Sequence, residues 1–184
     1  MARPGGSHRG FGLAALGLLI GLIIMGIPWQ WRLTARRVPP IHDITTDTEE
    51  PPAFRTILPL RMAASAPNSP DYGGPAIAAQ QRAGYPVMGP ALLDLTPQQA
   101  FERAIAAARA MGWEIVESNA TEGRIEATDT TFWFGFKDDV VVRVVQAGPG
   151  SRIDVRSVSR VGKSDVGTNA RRIERYLAKV KQSK

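Results

Sequence analysis

Residues 152–172 read RIDVRSVSRVGKSDVGTNARR and predict a strand, a glycine-containing turn and the start of the last helix. Ile153 and Val155 alternate with charged residues, as in a strand with one buried face. Ser164 and Asp165 are both favoured helix N-cap residues. The apolar residues that recur at helical spacing after the turn are Val166, Ala170, Ile173, Leu177 and Val180.

The turn in this stretch is the predicted contact for a ligand or partner, because a helix N-terminus presents free backbone amides that bind anions. Two kinds of occupant fit. One is an external anionic ligand or protein partner, and the other is a carboxylate from residues 43–50 of this chain. We expect Arg160 to contact an acid from elsewhere in the chain, with residues 43–50 as the favoured source. The predicted contact residues are Arg143, Arg156, Ser159, Arg160, Lys163, Ser164, Asp165, Asn169 and Arg172.

Gly162-Lys163-Ser164 lies between a strand and a helix, as in the phosphate-binding loop of nucleotide hydrolases. That motif needs glycine at position 157, where this chain has serine. A serine hydrolase would need an activating base beside one of the serines of this turn, and His42 is the only histidine after residue 8. The turn therefore predicts neither chemistry.

Residues 96–160 predict a helix followed by a four-stranded antiparallel meander. Thr96-Pro97-Gln98-Gln99 is a capping box with proline at the first helical position, and Gly112 ends the helix. The apolar period then changes to two, which gives strands at 113–118, 124–131, 139–147 and 151–160. With short links and two helices on one face of the sheet, residues 91–184 are expected to form an α+β two-layer sandwich.

The second face of this sheet is predicted to carry charged residues that pair across strands. They are Glu126, Arg143, Asp154, Arg156 and Arg160. An alternative function is a hydrolase-type enzyme that uses Asp129, Asp138 or Asp139 with Arg143, since two carboxylates in different environments can act as acid and base.

An aromatic cluster follows the second strand of the meander: Phe132, Trp133, Phe134 and Phe136. We expect it to belong to the hydrophobic core. If instead it lines an apolar pocket between helix and sheet, under Phe101 and Trp133, the protein is a carrier of a lipid or another hydrophobic ligand.

Residues 32–90 are rich in proline and predict an extended arm, with a short helix at 76–84. The segment 41–54 contains the acids Asp43, Asp47, Glu49 and Glu50. Their spacing lacks the pattern of a Ca²⁺ loop, so no metal site is predicted. We expect the arm to lie on the domain and to pair acids, Asp43 and Asp47 among them, with its basic face.

An apolar stretch near the amino terminus predicts a membrane anchor. Arg9 and Arg32 bracket 22 uncharged residues, which as a helix would span about 33 Å, enough for the hydrocarbon core of a bilayer. We expect a basic segment at 1–10 and an uncleaved anchor at 11–31, rather than a signal peptide. The predicted protein is a single-pass protein of the bacterial inner membrane with its domain in the periplasm. The cytoplasmic side stays open, because the flanking arginines are nearly balanced.

Composition narrows the classes of function. The chain has no cysteine, which excludes thiol catalysis and disulfides, and two histidines, too few for a histidine-rich metal site. No cofactor is predicted. The net charge of +6 comes from the two ends of the chain. We interpret the basic last helix as a solvated helix face rather than as a nucleic-acid contact.

Three segments together resemble the bacterial family of domain of unknown function 1499: residues 41–54, 132–144 and 153–173. The resemblance covers roughly residues 38–181 and implies a recurrent membrane-associated module, without assigning a reaction. The sequence therefore predicts a membrane-anchored, non-catalytic binding or interaction module of the bacterial cell envelope.

Overall fold

The protein is described by a computed structural model over residues 7–182, so that part of the predicted basic segment at 1–10, and Lys184, lie outside the described residues. The chain divides into two compact units, Met1–Val38 and Pro39–Lys184. An apolar N-terminal helix is followed by an α+β domain, which confirms the predicted fold class.

The first unit contains helix α1, Ser7–Ala35. Within Gly10–Ala35, an 18-residue window has a mean hydropathy of 2.4, and the helix is long and apolar enough to cross a membrane. The sequence places Pro28 at the end of this helix, whereas α1 continues to Ala35. The continuation includes a hydrogen bond from Thr34 Oγ1 to the carbonyl of Gln30, at 3.0 Å.

The second unit combines an antiparallel sheet with four helices within the described residues. The strands are β1 Asp43–Thr45, β2 Ala91–Leu93, β3 Glu114–Asn119, β4 Arg124–Thr130, β5 Lys137–Ala147 and β6 Gly150–Ser159. The helices are α2 Leu58–Ala63, α3 Gly74–Gly84, α4 Pro97–Ala110 and α5 Thr168–Gln182. The predicted short helix at 76–84 is confirmed as α3, and the capping box at Thr96 begins α4.

The sheet has the order β1-β6-β5-β4-β3, with β2 also paired to β6. Strands β3 to β6 form the predicted meander. The additional strands β1 and β2 both pair with β6, through Asp43 opposite Val158 and Ala91 opposite Ile153. One segment of the predicted arm, β1, and the first residues of the predicted domain, β2, therefore complete the edge of the sheet.

Helices α4 and α5 cover one face of the sheet. Val140 and Val155 from the strands pack with Ala104 and Ile173 from the helices in the main core. Tyr176 of α5 donates a hydrogen bond to the carbonyl of Ala104 at 3.0 Å, which ties the two helices together. Val166, predicted in the apolar stripe of the last helix, precedes α5.

The arm covers the opposite face. Phe54 and Ile57 of the arm pack on Val141 and Val158 in a second, smaller core. The charged residues predicted for this face therefore lie between the sheet and residues of the arm.

Candidate functional site

At the turn before α5, the carboxylate of Asp165 accepts the backbone amides of Gly167 at 2.9 Å and Asn169 at 2.6 Å. Ser164 Oγ accepts the amide of Val166, which precedes the helix. The expected cap is confirmed, and Asp165 is the residue that reaches the first turn of α5. Burial raises the pKa of Asp165 above its ordinary value of 3.8, although both amides lower it. The chain itself thus supplies an anion at this helix end.

Arg172 of α5 lies between the helix and the sheet with 1% of its side chain exposed. Its guanidinium donates to the carboxylates of Asp129 and Asp138, both at 2.6 Å. Asn169 accepts a further hydrogen bond from Arg172 and donates to Ser159 Oγ at 3.0 Å. These polar groups satisfy one another inside the protein, which is what makes their burial tolerable.

Arg160 contacts Asp139, on the opposite face of the sheet, with Nε 2.9 Å from Oδ2 and Nη2 2.8 Å from Oδ1. Arg61 of α2 donates to the same carboxylate at 2.5 Å. The expectation that Arg160 contacts an acid from elsewhere in the chain is therefore confirmed, but the favoured source, residues 43–50, is wrong. Asp139 is opposite Val158 in the β5–β6 register, so it lies diagonally beside Arg160 on the same face.

Arg156, rather than Arg160, pairs with an acid of the predicted acidic segment, Asp43. Its Nε lies 2.9 Å from Asp43 Oδ1 and its Nη2 lies 2.7 Å from Asp43 Oδ2. The guanidinium carbon also lies 5.2 Å from the ring centre of Phe54 and 5.5 Å from that of Tyr72, distances at which cations are attracted to aromatic rings. Arg156 therefore fastens the arm to β6.

Arg143 of β5 and Arg152 of β6 share two carboxylates, those of Asp47 and Asp154. Asp47 Oδ2 lies 2.9 Å from Arg143 and 2.8 Å from Arg152. Burial raises the pKa of Asp47, but the amides of residues 49 and 50 and the two arginines outweigh it, so the pKa lies below its ordinary value of 3.8. Asp43 and Asp47 thus both pair with arginines of the sheet, which confirms the expected pairing of the acidic arm.

The proposed catalytic carboxylates are not brought together with Arg143. Asp138 lies on the helix side of the sheet with Arg172, and Asp139 lies on the arm side with Arg160. They are neighbours on one strand, and successive side chains of a strand point to opposite faces. Arg143 contacts neither of them and pairs with Asp47 and Asp154.

A half-open cleft of about 410 Å³ lies between the arm and the sheet. Its lining residues are Pro51, Pro52, Ala53, Arg55, Glu122, Arg124, Val141 and Arg143. The three arginines give it a basic character, although Arg55 and Arg124 both pair with Glu122. Arg143 Nε is buried and has no hydrogen-bond partner within residues 7–182.

The aromatic cluster is exposed rather than buried. Phe132, Trp133, Phe134 and Phe136 are 89, 79, 64 and 50% exposed, so their expected place in the core is wrong. They occupy the β4–β5 connection, residues 132–136, which we name the aromatic loop. Phe101 is buried in the main core, so Trp133 does not line a pocket with it. The loop projects because β4 and β5 pair only up to Thr130 and Lys137.

The aromatic loop shares its end of the sheet with the turn after β6. The amide of Arg160 donates to the carbonyl of Lys137 at 3.1 Å, beside the last residue of the loop. Val161 and Lys163 follow in the turn, and both are exposed. Lys163 is thus the one predicted contact residue of this turn that combines a charge with an exposed side chain.

Residues 43–180 match a family profile described as "Protein of unknown function (DUF1499)". The chain belongs to the DUF1499 family. The match begins at Asp43 and so includes the arm together with the meander. No curated protein matches the chain at a significant level.

Among solved structures, the DUF1499 chain is similar to the crystal structure of Ara h 8.0201, with a TM-score of 0.30 and 14% sequence identity. The match covers 51% of this chain and 95% of that chain. A likeness of this size supports no inference about function.

Sequence reasoning placed Glu126 on the charged face of the DUF1499 domain but missed its partners, and it missed Arg61. Glu126, 0% exposed, accepts the amides of Arg55, Thr56 and Ile57 ahead of α2. Arg61 was missed as the second partner of Asp139. Strand alternation places Glu126 on the charged face, but no local pattern identifies partners about 70 residues away in sequence.

Proposed function

We propose that this DUF1499 protein is a single-pass, non-catalytic binding module of the bacterial cell envelope, and that the aromatic loop is its binding surface. The exposure of four aromatic side chains in one loop carries the proposal. A contiguous exposed apolar patch is typical of an interaction surface, and aromatic residues are enriched where partners dock.

The arrangement of buried charges supports binding rather than catalysis. Arg156, Arg160 and Arg172 each donate to a carboxylate of this chain, so they act as braces between elements. A general acid or base must reach the substrate, whereas Asp138 and Asp139 are only 3% and 0% exposed.

The apolar helix α1 supports membrane attachment, for which we propose the inner membrane with the domain in the periplasm. Carbonate extraction should leave the full-length chain in the membrane pellet.

The side of the membrane is tested by labelling a cysteine. Since the chain has no cysteine, Val87→Cys, at a 91% exposed position, gives a single thiol for labelling. A membrane-impermeant maleimide should label it in intact spheroplasts. Labelling only after lysis would place the domain in the cytoplasm.

Photo-crosslinking tests the binding surface. Benzoylphenylalanine replaces Trp133 in one variant and Leu92, which is 69% exposed, in the control. Leu92 pairs with Arg152 near the start of β6, far along the strand from the loop. Irradiation of intact cells should give adducts, to protein or to lipid, at position 133 and not at 92. Equal yields at both positions, or none at 133, would reject the aromatic loop as the binding surface.

The cleft supports a second candidate, the binding of a small anion such as a carboxylate or phosphate. Arg55 and Glu122 are 65 and 43% exposed in their side chains, so an incoming anion could replace Glu122. Arg55→Gln should abolish any thermal stabilisation by phosphate. Arg82→Gln, which removes an exposed arginine paired with Glu49, should leave it unchanged. Equal stabilisation of both variants would exclude the cleft.

A further inference from the structure

We infer that the aromatic loop inserts into the headgroup and upper acyl region of a lipid bilayer, the same bilayer that α1 is proposed to cross. This inference rests on the proposed function and names the occupant of that binding surface. It follows from where the chain enters the domain, from the chemistry of the sheet end, and from the hydrogen bonds inside the loop.

The chain enters the domain at the sheet end that carries the loop. The carbonyl of His42 accepts the amide of Ser159 at 3.0 Å, and the carbonyl of Ile41 accepts the amide of Asp165 at 3.2 Å. Arg160 lies between Ser159 and Asp165 in the sequence. Its amide donates to the carbonyl of Lys137, beside the loop. The entry segment and the aromatic loop therefore flank the same turn.

The length of the chain keeps this sheet end near the end of α1. The helix ends at Ala35 and the domain begins at Pro39. Each step between consecutive Cα atoms covers at most 3.8 Å, so Pro39 lies within about 15 Å of Ala35 at any angle between the two units. If α1 crosses a bilayer, this end of the domain stays close to the bilayer surface.

The composition of the sheet end suits a bilayer interface. Trp133 and the neighbouring phenylalanines are apolar residues of the kind that interfacial segments bury in the headgroup region. Val161, 40% exposed, adds an apolar side chain from the adjacent turn. Lys137 and Lys163 are exposed beside them, where cations attract anionic lipid headgroups.

The loop also satisfies part of its own backbone, which lowers the cost of leaving water. The amide of Thr131 donates to the carbonyl of Phe136 at 2.8 Å, and the amide of Gly135 donates to the carbonyl of Thr131 at 2.9 Å. Thr131 Oγ1 accepts the amide of Phe136 at 2.9 Å. The aromatic side chains therefore project from a turn that is closed by its own hydrogen bonds.

Tryptophan fluorescence of the full chain in vesicles of phosphatidylcholine and phosphatidylglycerol tests the inference. With Trp29→Phe and Trp31→Phe, only Trp113 and Trp133 remain. Trp113 is 5% exposed, and its signal is measured alone after Trp133→Phe. We expect the Trp133 signal to be quenched by brominated acyl chains and shielded from aqueous iodide. Leu92→Trp, added to the chain that lacks Trp133, should show the reverse.

A Trp133 signal that iodide quenches and brominated lipid does not would overturn the inference. In that case, photo-crosslinks from position 133 to another protein would still support the aromatic loop as the binding surface, with a protein as its partner. The absence of any specific adduct at 133 would reject the binding surface as well. The two failures are thus distinguishable.

Discussion

Arg156 and Asp43 form a bidentate ion pair inside the domain, with N···O distances of 2.9 and 2.7 Å. Their side chains are 3 and 7% exposed. The pair joins β6 to the segment through which the chain enters the domain, across 113 positions of sequence. In this protein, most of the charge that looked available for a ligand is instead paired inside the domain. Arg143 and Arg156 join the arm to the sheet, whereas Arg160 and Arg172 pair with carboxylates of the sheet itself.

Removing Asp43 should destabilise the domain strongly. Asp43→Ala leaves the guanidinium of Arg156 buried without its counterion, a change that costs about 3–5 kcal/mol. Urea unfolding of the full chain in micelles, followed by the fluorescence of buried Trp113, measures it. Glu49→Ala breaks an exposed pair with Arg82 and should cost at most about 1 kcal/mol. Equal effects of both changes would show that the pair does not brace the arm.

The cap of α5 gives a second prediction. Asp165→Ala removes the acceptor of two backbone amides and should lower the free energy of unfolding by about 0.5–2 kcal/mol. Ser164→Ala should have a smaller effect, because Ser164 bonds only an amide that precedes the helix. The reverse order in urea unfolding would assign the cap to Ser164.

Asp47 predicts a pH dependence. Its folded pKa lies below 3.8, so the folded state binds its proton less tightly than the unfolded state. The stabilisation is therefore present above pH 3.8 and is lost as pH falls through the folded pKa. Asp47→Asn should be less stable than the wild type at pH 7, and the difference should shrink below pH 4. Asp71→Asn, at an exposed acid, is the control. A difference for Asp47→Asn that stays constant with pH would contradict the assignment.

The placement of the aromatic residues can be tested by stability alone. Trp133→Ser should change the free energy of unfolding by no more than about 0.5 kcal/mol, because the side chain is exposed. Trp113→Ala should cost about 3–5 kcal/mol, since Trp113 is buried and stacks on Tyr176 with ring centres 4.8 Å apart. Thermal unfolding by circular dichroism measures both. A large loss for Trp133→Ser would return the loop to the core.

Deletion of residues 39–90 tests the domain boundary. The sequence alone predicts that residues 91–184 fold cooperatively, and this stays a prediction. The contacts of the deleted segment lead us to expect that residues 91–184 alone do not fold cooperatively, because Ile41 and Ile44 belong to the main core. Losing each costs about 2–5 kcal/mol, against a total stability of about 5–15 kcal/mol for a domain. A sharp urea transition of the deleted protein would show that the arm is dispensable.

Local pattern was sufficient for the elements whose residues contact their neighbours in sequence. The capping box at Thr96, the helix that follows it, the meander and the Asp165 cap all depend on spacings of two to four residues. The charges of Asp43 and Asp47 and the excess of arginine also predicted that the arm pairs with the sheet. The local elements follow from the periods of helix and strand, and the pairing of the arm follows from the attraction of opposite charges.

The tertiary structure decided which charges meet and which apolar residues stay in water. Arg156 rather than Arg160 binds Asp43. The register of β1 on β6 sets Asp43 opposite Val158, diagonally beside both arginines. Arg160 is already paired with Asp139 of β5. A shift of one residue would turn Asp43 to the other face. Strand β1 is three residues long, too short to show a period. The aromatic loop looks like core in sequence, and it is exposed because β4 and β5 end before it. Such outcomes depend on contacts between distant segments, which no local pattern encodes.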